Sequence, residues 1–341
     1  MKNNQYNIRD LDLAERPLWD DFVRSSANGL LFHSTSWADT IQTVFKRPYK
    51  ITVLMKNEII VSGILYWPRE GSIPSITSTP LTYYQGILHI IPPQKKLSSV
   101  NADIQKRTDM LLNYLCEKYS FIDIPLSRNV IDTRTYKWKN FNVKPFHTYI
   151  IELTSDEEIL ARFNQSLRRK INVSGKQDLS VVASESTKEI TQFIADSYKY
   201  HRTTPPISSE KIELFLQETI KRDIGRIYYL EKQGEYLCGL AVLWDKNNLF
   251  AIFSGINSRY RDSQYSQFLH ASVLLLPEFR GKTFDFLGAN TRQLEQFKRS
   301  FGGELHTFFR VTYYKNPIVK GFHRIRSFQH IFSRKILRFV K

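Results

Sequence analysis

The chain has 341 residues, 42% of them apolar, with 14 Gly and 13 Pro, which excludes a disordered or fibrous protein and leaves room for two ordinary domains. Cys116 and Cys238, the only two cysteines, lie among apolar neighbours and read as buried thiols of a reduced compartment, not as a disulfide framework. The formal net charge is +16, and from Leu305 to Lys341 there are nine Lys or Arg and no Asp or Glu. The rest of the chain is mildly basic, which suits an anionic substrate. No apolar run is long enough to span a bilayer, and "MKNNQYNIRDLDLAE" lacks the apolar segment of a secretory signal, so a cytoplasmic protein is expected.

In chain order, "YNIRDL" reads as a strand, then "RPLWDDFVRSS" and "STSWADTIQTVF" as helices, the second with Trp37, Ile41, Val44 and Phe45 on one side. "YKITVLMK" and "EIIVSGILYW" form a hairpin around Asn57, and "GILHII" suits a further strand. The long helix is "NADIQKRTDMLLNYLCEKY", followed by the strands "FIDIPL" and "HTYIIEL". The second half is clearer. "LSVVAS" is a strand, "STKEITQFIADSYKYH" and "SSEKIELFLQETIKR" are amphipathic helices, and "RIYYLE", "EYLCGLAVLW" and "LFAIFSGI" are three strands separated by turns. A helix from about Ser263, the strand "TFDFLG", a helix from about Thr291 and the strand "HTFFRVTYY" complete it. The order is β-α-α-β-β-β-α-β-α-β, and the first half follows it less clearly. Two tandem α/β units are therefore expected, at 1–145 and 146–316, followed by a basic amphipathic helix at 317–341.

That element order resembles the GNAT acyltransferase fold, with mixed central sheets, and a tandem pair resembles the Fem family of peptidoglycan interpeptide-bridge transferases. The motifs that carry the resemblance are "LFHSTSW", "STPLTYYQGI" with Gln85 where the family has Gly, "SLRRKINVSGKQDLSVV", and above all "FDFLGANTRQLEQFKRSFGGEL". The resemblance implies an N-acyltransferase whose activated donor enters beside the strand "TFDFLG". It places a catalytically assisting lysine at Lys298, suited to stabilising the oxyanion of a tetrahedral intermediate. Asn290, at the strand exit, suits a hydrogen bond to the donor.

Further candidates follow from position. His201 and Arg202 lie in the loop between the two helices, which roofs the acceptor site in this fold; a histidine there suits a general base, and equally a helix cap. Tyr83 and Tyr84 suit positioning of the acceptor, and Arg168 suits a grip on one of its phosphates, or else a solvated helix face. Gly255, Ser263 and Ser266 are the expected contacts of a CoA-type donor. The pattern departs from simple GNAT enzymes at two places. Position 297 is Phe where they carry a proton-donating Tyr, and "RDSQYS" has Gln264 and Ser266 where their phosphate loop has Gly.

No metal-ligand spacing, P-loop or nucleophile elbow is present, so no metal site and no tightly bound cofactor are expected. The reading is acyl transfer from acyl-CoA to an amine of an amino sugar or cell-envelope precursor. Aminoacyl-tRNA is the alternative donor, and an inactive duplicate that binds an envelope precursor is the third reading. DNA is not an expected partner. In the tail, Ile318, Phe322, Ile325, Phe328, Phe332, Ile336 and Phe339 share one helical face opposite Lys and Arg. That face suits peripheral contact with the inner face of a membrane and a lipid-linked acceptor, or else docking on the protein itself.

Overall fold

The computed structural model describes residues 6–91, 96–175, 177–200, 202–261 and 263–321. The first half contains β1 (Tyr6–Asp10), α1 (Arg16–Ser25), α2 (Thr35–Phe45), β2 (Lys50–Lys56), β3 (Ile59–Tyr66), β4 (Pro68–Arg69), β5 (Ser75–Thr77), β6 (Leu88–His89), α3 (Leu97–Lys118), β7 (Phe121–Pro125), α4 (Arg134–Trp138) and β8 (Asn142–Glu152). Ser34 caps α2 by accepting the Trp37 N–H, and the helix then buries Trp37, Ala38, Ile41 and Val44. Asn57 and Glu58 both have positive φ, 50° and 62°, the geometry that turns β2 tightly into β3.

The second half contains α5 (Asp156–Arg162), α6 (Gln165–Ser174), β9 (Ser180–Ser184), α7 (Lys188–Tyr200), α8 (Ser209–Lys221), β10 (Gly225–Lys232), β11 (Glu235–Trp244), β12 (Asn248–Ile256), α9 (Tyr265–Leu274), β13 (Thr283–Asp285), α10 (Arg292–Arg299) and β14 (Glu304–Tyr314). Short helices survive here because their ends are capped: Ser155 accepts from Glu158 N, and Asn164 from Leu167 N. A helical turn starts at Pro317, where Asn316 Oδ1 accepts from Val319 N at 3.0 Å. The tail helix expected to run to 341 otherwise lies outside the described residues. Among those described, no helix is long and apolar enough to cross a membrane. Cys116 and Cys238 are free thiols, and burial pushes Cys116 up to about 11.

The strands form a four-stranded sheet, β1-β2-β3-β6, and a ten-stranded sheet, β4-β5-β7-β14-β8-β13-β12-β11-β10-β9. β14, the last strand among the described residues, inserts between β7 and β8, and β8 in turn lies against β13. Each half thus completes its sheet with the final strand of the other. The boundary expected after residue 145 falls inside β8, which runs on to Glu152 because its second part pairs with β13. One hydrophobic cluster joins the halves on one face: Trp37 of α2 meets Phe215 of α8 edge-on, with ring centroids 5.7 Å apart. On the opposite face α9 and the residues around α10 cover β10 to β13.

The two halves differ where their sheets open. In the first, β6 stays with β3 while β5 pairs with β7, and residues 78–87 cross between them. Gln85 spans that gap: its backbone N–H donates to Pro125 O at 2.9 Å, and its carboxamide donates to Leu65 O at 3.2 Å. Gln85 is useful there for its reach, where a glycine has none. In the second half, β12 and β13 run parallel only over Asn248–Phe250 and Thr283–Asp285. A bulge at Ile252 follows, and Ala251–Ile256 continue paired with β11 alone. The wedge of the second half is therefore open.

Candidate active site

At the mouth of that wedge stands β13. Its alternation sends Phe284 and Phe286 into the α9/α10 side of the core and Asp285 to the other side. Asp285 is fully buried yet accepts four hydrogen bonds. Arg128 Nη1 (2.6 Å) and the Tyr84 hydroxyl (2.8 Å) bind Oδ2, while Thr148 Oγ1 (2.7 Å) and Leu287 N (2.9 Å) bind Oδ1. Arg128 follows β7 of the first half, and its Nη2 also reaches Asn248 Oδ1 at 2.6 Å. Asn248 donates to Asp245, whose other oxygen accepts the Leu31 N–H at 2.9 Å. A buried polar chain thus runs from the first helical region through the end of β12 to the exit of β13. Every charge in it is partnered, as burial requires.

The exit itself is a tight loop. Leu287 and Gly288 have φ of 51° and 86°, a reversal that glycine adopts freely and leucine only under constraint. The constraint is visible: Leu287 N bonds Asp285, Gly288 N donates to Thr148 Oγ1 at 3.2 Å, and Ala289 N donates to His147 O at 2.7 Å. From the other side, Lys298 Nζ donates to the carbonyls of Phe286 (2.6 Å), Leu287 (3.3 Å) and Gly288 (2.5 Å). Burial pulls the Lys298 amine down to about 8, against the opposing pull of Asp285. All three of its protons are committed to the loop, so in this arrangement Lys298 positions the loop, and contact with an oxyanion requires exchanging one of those bonds.

A cleft of about 330 Å³ opens on this loop, between Gly288 and Asn290 on one side and Thr79, Thr82 and Tyr83 on the other. Phe146 and Phe308 form its floor, with ring centroids 5.8 Å apart and planes 32° apart. Arg310 also lines it, but both carboxylate oxygens of Asp123 hold the guanidinium, at 2.8 and 2.7 Å. The cleft therefore mixes polar groups with a larger apolar lining and holds no uncompensated charge among its described residues.

The structure sorts the expected site residues. Tyr83, expected at the acceptor, lines the cleft, and so does Asn290, which was expected to bond the donor. Burial, with Tyr198 and Asp285 nearby, pushes the Tyr83 hydroxyl up to about 12. Asn290 Oδ1 accepts the His147 N–H at 3.0 Å and so extends the strand ladder with a side chain. Tyr84 does not line the cleft: it is fully buried and its hydroxyl serves Asp285. Gly255, expected to face a donor, faces α7, where a Cβ would lie 2.7 Å from Phe193 Cβ. Its glycine is set by helix packing. Arg168 is solvent-exposed, and Lys170 is the basic α6 residue that lines a pocket, beside Ser166 and Leu167. Arg202 is exposed, with φ of 51°, and His201 lies outside the described residues. Ser263 Oγ accepts Tyr265 N at 3.4 Å, and the Ser266 carbonyl accepts from His270 Nδ1 at 2.7 Å. Phe297 packs edge-on against His270, with centroids 5.1 Å apart, so the place of a proton-donating Tyr is given over to core packing. Sequence reasoning missed Arg128, Asn248 and Thr148, which have no local motif; their shared partner is remote in the chain.

Residues 161–299 match the family model described as an acetyltransferase (GNAT) domain. No curated protein matches the chain. Among solved structures, FemX aligns with a TM-score of 0.69 at 13% identity, over 89% of this chain and 96% of that one. L-PGS from Bacillus licheniformis aligns at 0.54 and 11%, covering 90% and 93%. A tandem GNAT protein from the clavulanic acid biosynthesis pathway aligns at 0.52 and 10%, covering 92% and 99%. At these identities the likeness shows the fold alone, a tandem GNAT-like architecture.

Proposed function

We propose that the protein, whose residues 161–299 match the acetyltransferase (GNAT) domain model, transfers an acyl group from acyl-CoA to an amine of an amino sugar or cell-envelope precursor. The observation that carries this reading is the cleft at Gly288 and Asn290, opening where β12 and β13 part. The donor lies along the free edge of β12, and the acceptor occupies the cleft. Hydroxyls, a carboxamide and an aromatic floor, with the one arginine already neutralised, suit an uncharged, hydroxyl-rich acceptor. In the reaction the acceptor nitrogen bonds to the thioester carbonyl carbon, and collapse of the intermediate breaks the C–S bond. The amine proton passes to a base, for which His201 is the candidate, and the thiolate leaves as CoA after taking a proton from solvent. Lys298 keeps the loop in register and places a positive charge near the developing oxyanion.

Aminoacyl-tRNA as donor is the second reading. Phe297 has no proton for a thiolate, and Gln264 and Ser266 stand where a CoA phosphate loop needs glycine. A third reading is an inactive duplicate that binds an envelope precursor, favoured by the full commitment of Lys298 to carbonyls. Purified protein is mixed with amino sugars and either a panel of acyl-CoAs or charged tRNAs, and free thiol, deacylated tRNA and acceptor binding are measured. Acceptor-dependent thiol release supports the first reading; consumption of charged tRNA alone transfers support to the second; saturable acceptor binding without turnover supports the third.

A further inference from the structure

Two threonines on one wall of the acceptor cleft carry more protons than their protein neighbours accept. Thr79 and Thr82 line the cleft, yet they are only 4% and 6% exposed. Their hydroxyls lie 2.7 Å apart, and Trp37 Nε1 donates to Thr82 Oγ1 at 3.2 Å. An indole nitrogen only donates, and each hydroxyl has one proton to give. The trio thus holds three protons and uses two, one from Trp37 to Thr82 and one between the hydroxyls. If Thr82 donates to Thr79, the Thr79 proton remains; in the reverse order the Thr82 proton remains. Neither hydroxyl has a further partner among the described residues. Either way one O–H is left over, on an oxygen almost enclosed by protein at the cleft wall. Beside it stands Arg310, with Nε and Nη2 on Asp123 and Nη2 also on Ser78 Oγ at 3.3 Å, which leaves Nη1 unused. Asp123 accepts a third bond from Thr312 Oγ1 at 3.1 Å and does not itself line the cleft. The charge of Arg310 is therefore matched from behind the wall.

We propose that this wall seats a neutral carbonyl oxygen of the acceptor, as an N-acyl group on a sugar presents, with the threonine pair and Arg310 as its donors and Asp123 as the residue that sets the preference for a neutral group. A carbonyl oxygen accepts two hydrogen bonds and gives none, the complement of donors that lack acceptors. An anion gains from Arg310 but meets the Asp123 carboxylate behind it, so charge earns little extra affinity there. Water can take the leftover proton in the free protein, and a carbonyl that displaces the water keeps the bond. Phe146 and Phe308 offer the apolar floor for the acyl methyl or the sugar ring face. The proposal rests on the transferase reading in calling the ligand an acceptor. It narrows that class to sugars that already carry one acyl group beside the reacting amine.

Two probes present that chemistry with and without an anion, N-acetylglucosamine and N-acetylglucosamine 6-phosphate. Affinity is read by ligand-observed saturation-transfer NMR, and location by the Trp37 indole N–H signal, assigned through Trp37→Phe. The proteins are the wild type, Thr79→Val, the double variant Thr79→Val/Thr82→Val, Asp123→Asn, and Thr40→Val. Thr40 is the control, a buried hydroxyl that donates to Ser36 O at 2.9 Å away from the cleft lining. The wild type is expected to bind N-acetylglucosamine with a shift of the Trp37 signal, and to bind the 6-phosphate no more tightly. Thr79→Val frees Thr82 to turn its own proton to the cleft and should cost no more than about two-fold, whereas the double variant leaves no hydroxyl and should cost about five-fold or more. Thr40→Val should match the wild type. Asp123→Asn keeps the shape of the side chain, unmasks Arg310, and should tighten the 6-phosphate about ten-fold. Absence of saturable binding of the neutral sugar, a double variant that binds like the wild type or loses no more than Thr40→Val, a wild type that prefers the phosphate, or no gain in Asp123→Asn overturns the proposal. Thiol release with glucosamine as acceptor alongside any of these leaves the transferase reading standing, which separates the two failures.

Discussion

Arg128 and Asp285 form an ion pair at 2.6 Å with side chains only 6% and 0% exposed, although 157 positions separate them in the chain. One belongs to the segment leaving β7 and the other to β13, so a single buried contact ties the first half to the loop where the second half is expected to react. Removing one member of such a pair strands the other charge in the core. Arg128→Met is expected to cost about 3–5 kcal/mol of unfolding free energy. The double variant Arg128→Met/Asp285→Leu should lose less than the two single losses added. Additive losses in chemical denaturation would mean that the two side chains do not act as a unit.

Lys298→Ala removes three bonds from the loop and is expected to lower turnover roughly a hundred-fold, the size typical of losing one group that acts on a developing charge. The pH dependence of stability gives an independent reading. The folded amine lies at about 8, below its ordinary value of 10.5. Between those values the unfolded chain binds more protons, so stability rises with pH across that window, and the cost of burying the charge is fully present below it. The stability of the wild type relative to Lys298→Met should therefore improve from pH 8 to 10.5. A constant difference across the window would place the amine in a solvated setting.

Asn290 is exposed at the cleft and makes its bond at the end of a strand ladder, where little depends on it. Asn290→Ala is expected to raise the acceptor KM several-fold and to leave Tm within about a degree or two of wild type, as surface changes do. Loss of Tm with an unchanged KM would assign it to the ladder alone.

The exchange of β8 and β14 makes the halves interdependent. A fragment ending at Leu153 keeps β7 and β8 but lacks the strand between them, and the complementary fragment leaves β13 without β8. Each alone is expected to aggregate through its open edges, and co-expression should recover a soluble complex. A folded monomer of either fragment by size exclusion and circular dichroism would contradict this.

Much of the fold is legible in the chain because it is local. Amphipathic spacing marks α2, α7 and α8, turn residues mark the β10–β12 meander, and the aromatic alternation around Asp285 gives that residue its inward face. The strand exchange is not legible, since pairing of β14 with β7 and β8 has no local signature. The candidate site was read in part. Tyr83 and Asn290 sit at element ends, where position alone points to a cleft. Tyr84 looks equivalent to Tyr83 in sequence, and only the direction of its side chain toward Asp285 removes it. Gly255 resembles a ligand-contacting glycine because close approach by a helix and by a ligand demand the same residue. On α6, Arg168 was expected to face the site, but it is exposed and the basic residue at a pocket is Lys170.

The place of β14 between β7 and β8 also sets an order of events during synthesis. The first half leaves the ribosome with its sheet unfinished, because the strand that fills it is translated only after the other described strands of the second half. Until residues 304–314 emerge, β7 and β8 present two facing, unpaired edges that are free to join each other in a wrong ladder. Folding of the first half thus waits on residues 304–314, and a chain stalled before them yields no finished domain at all.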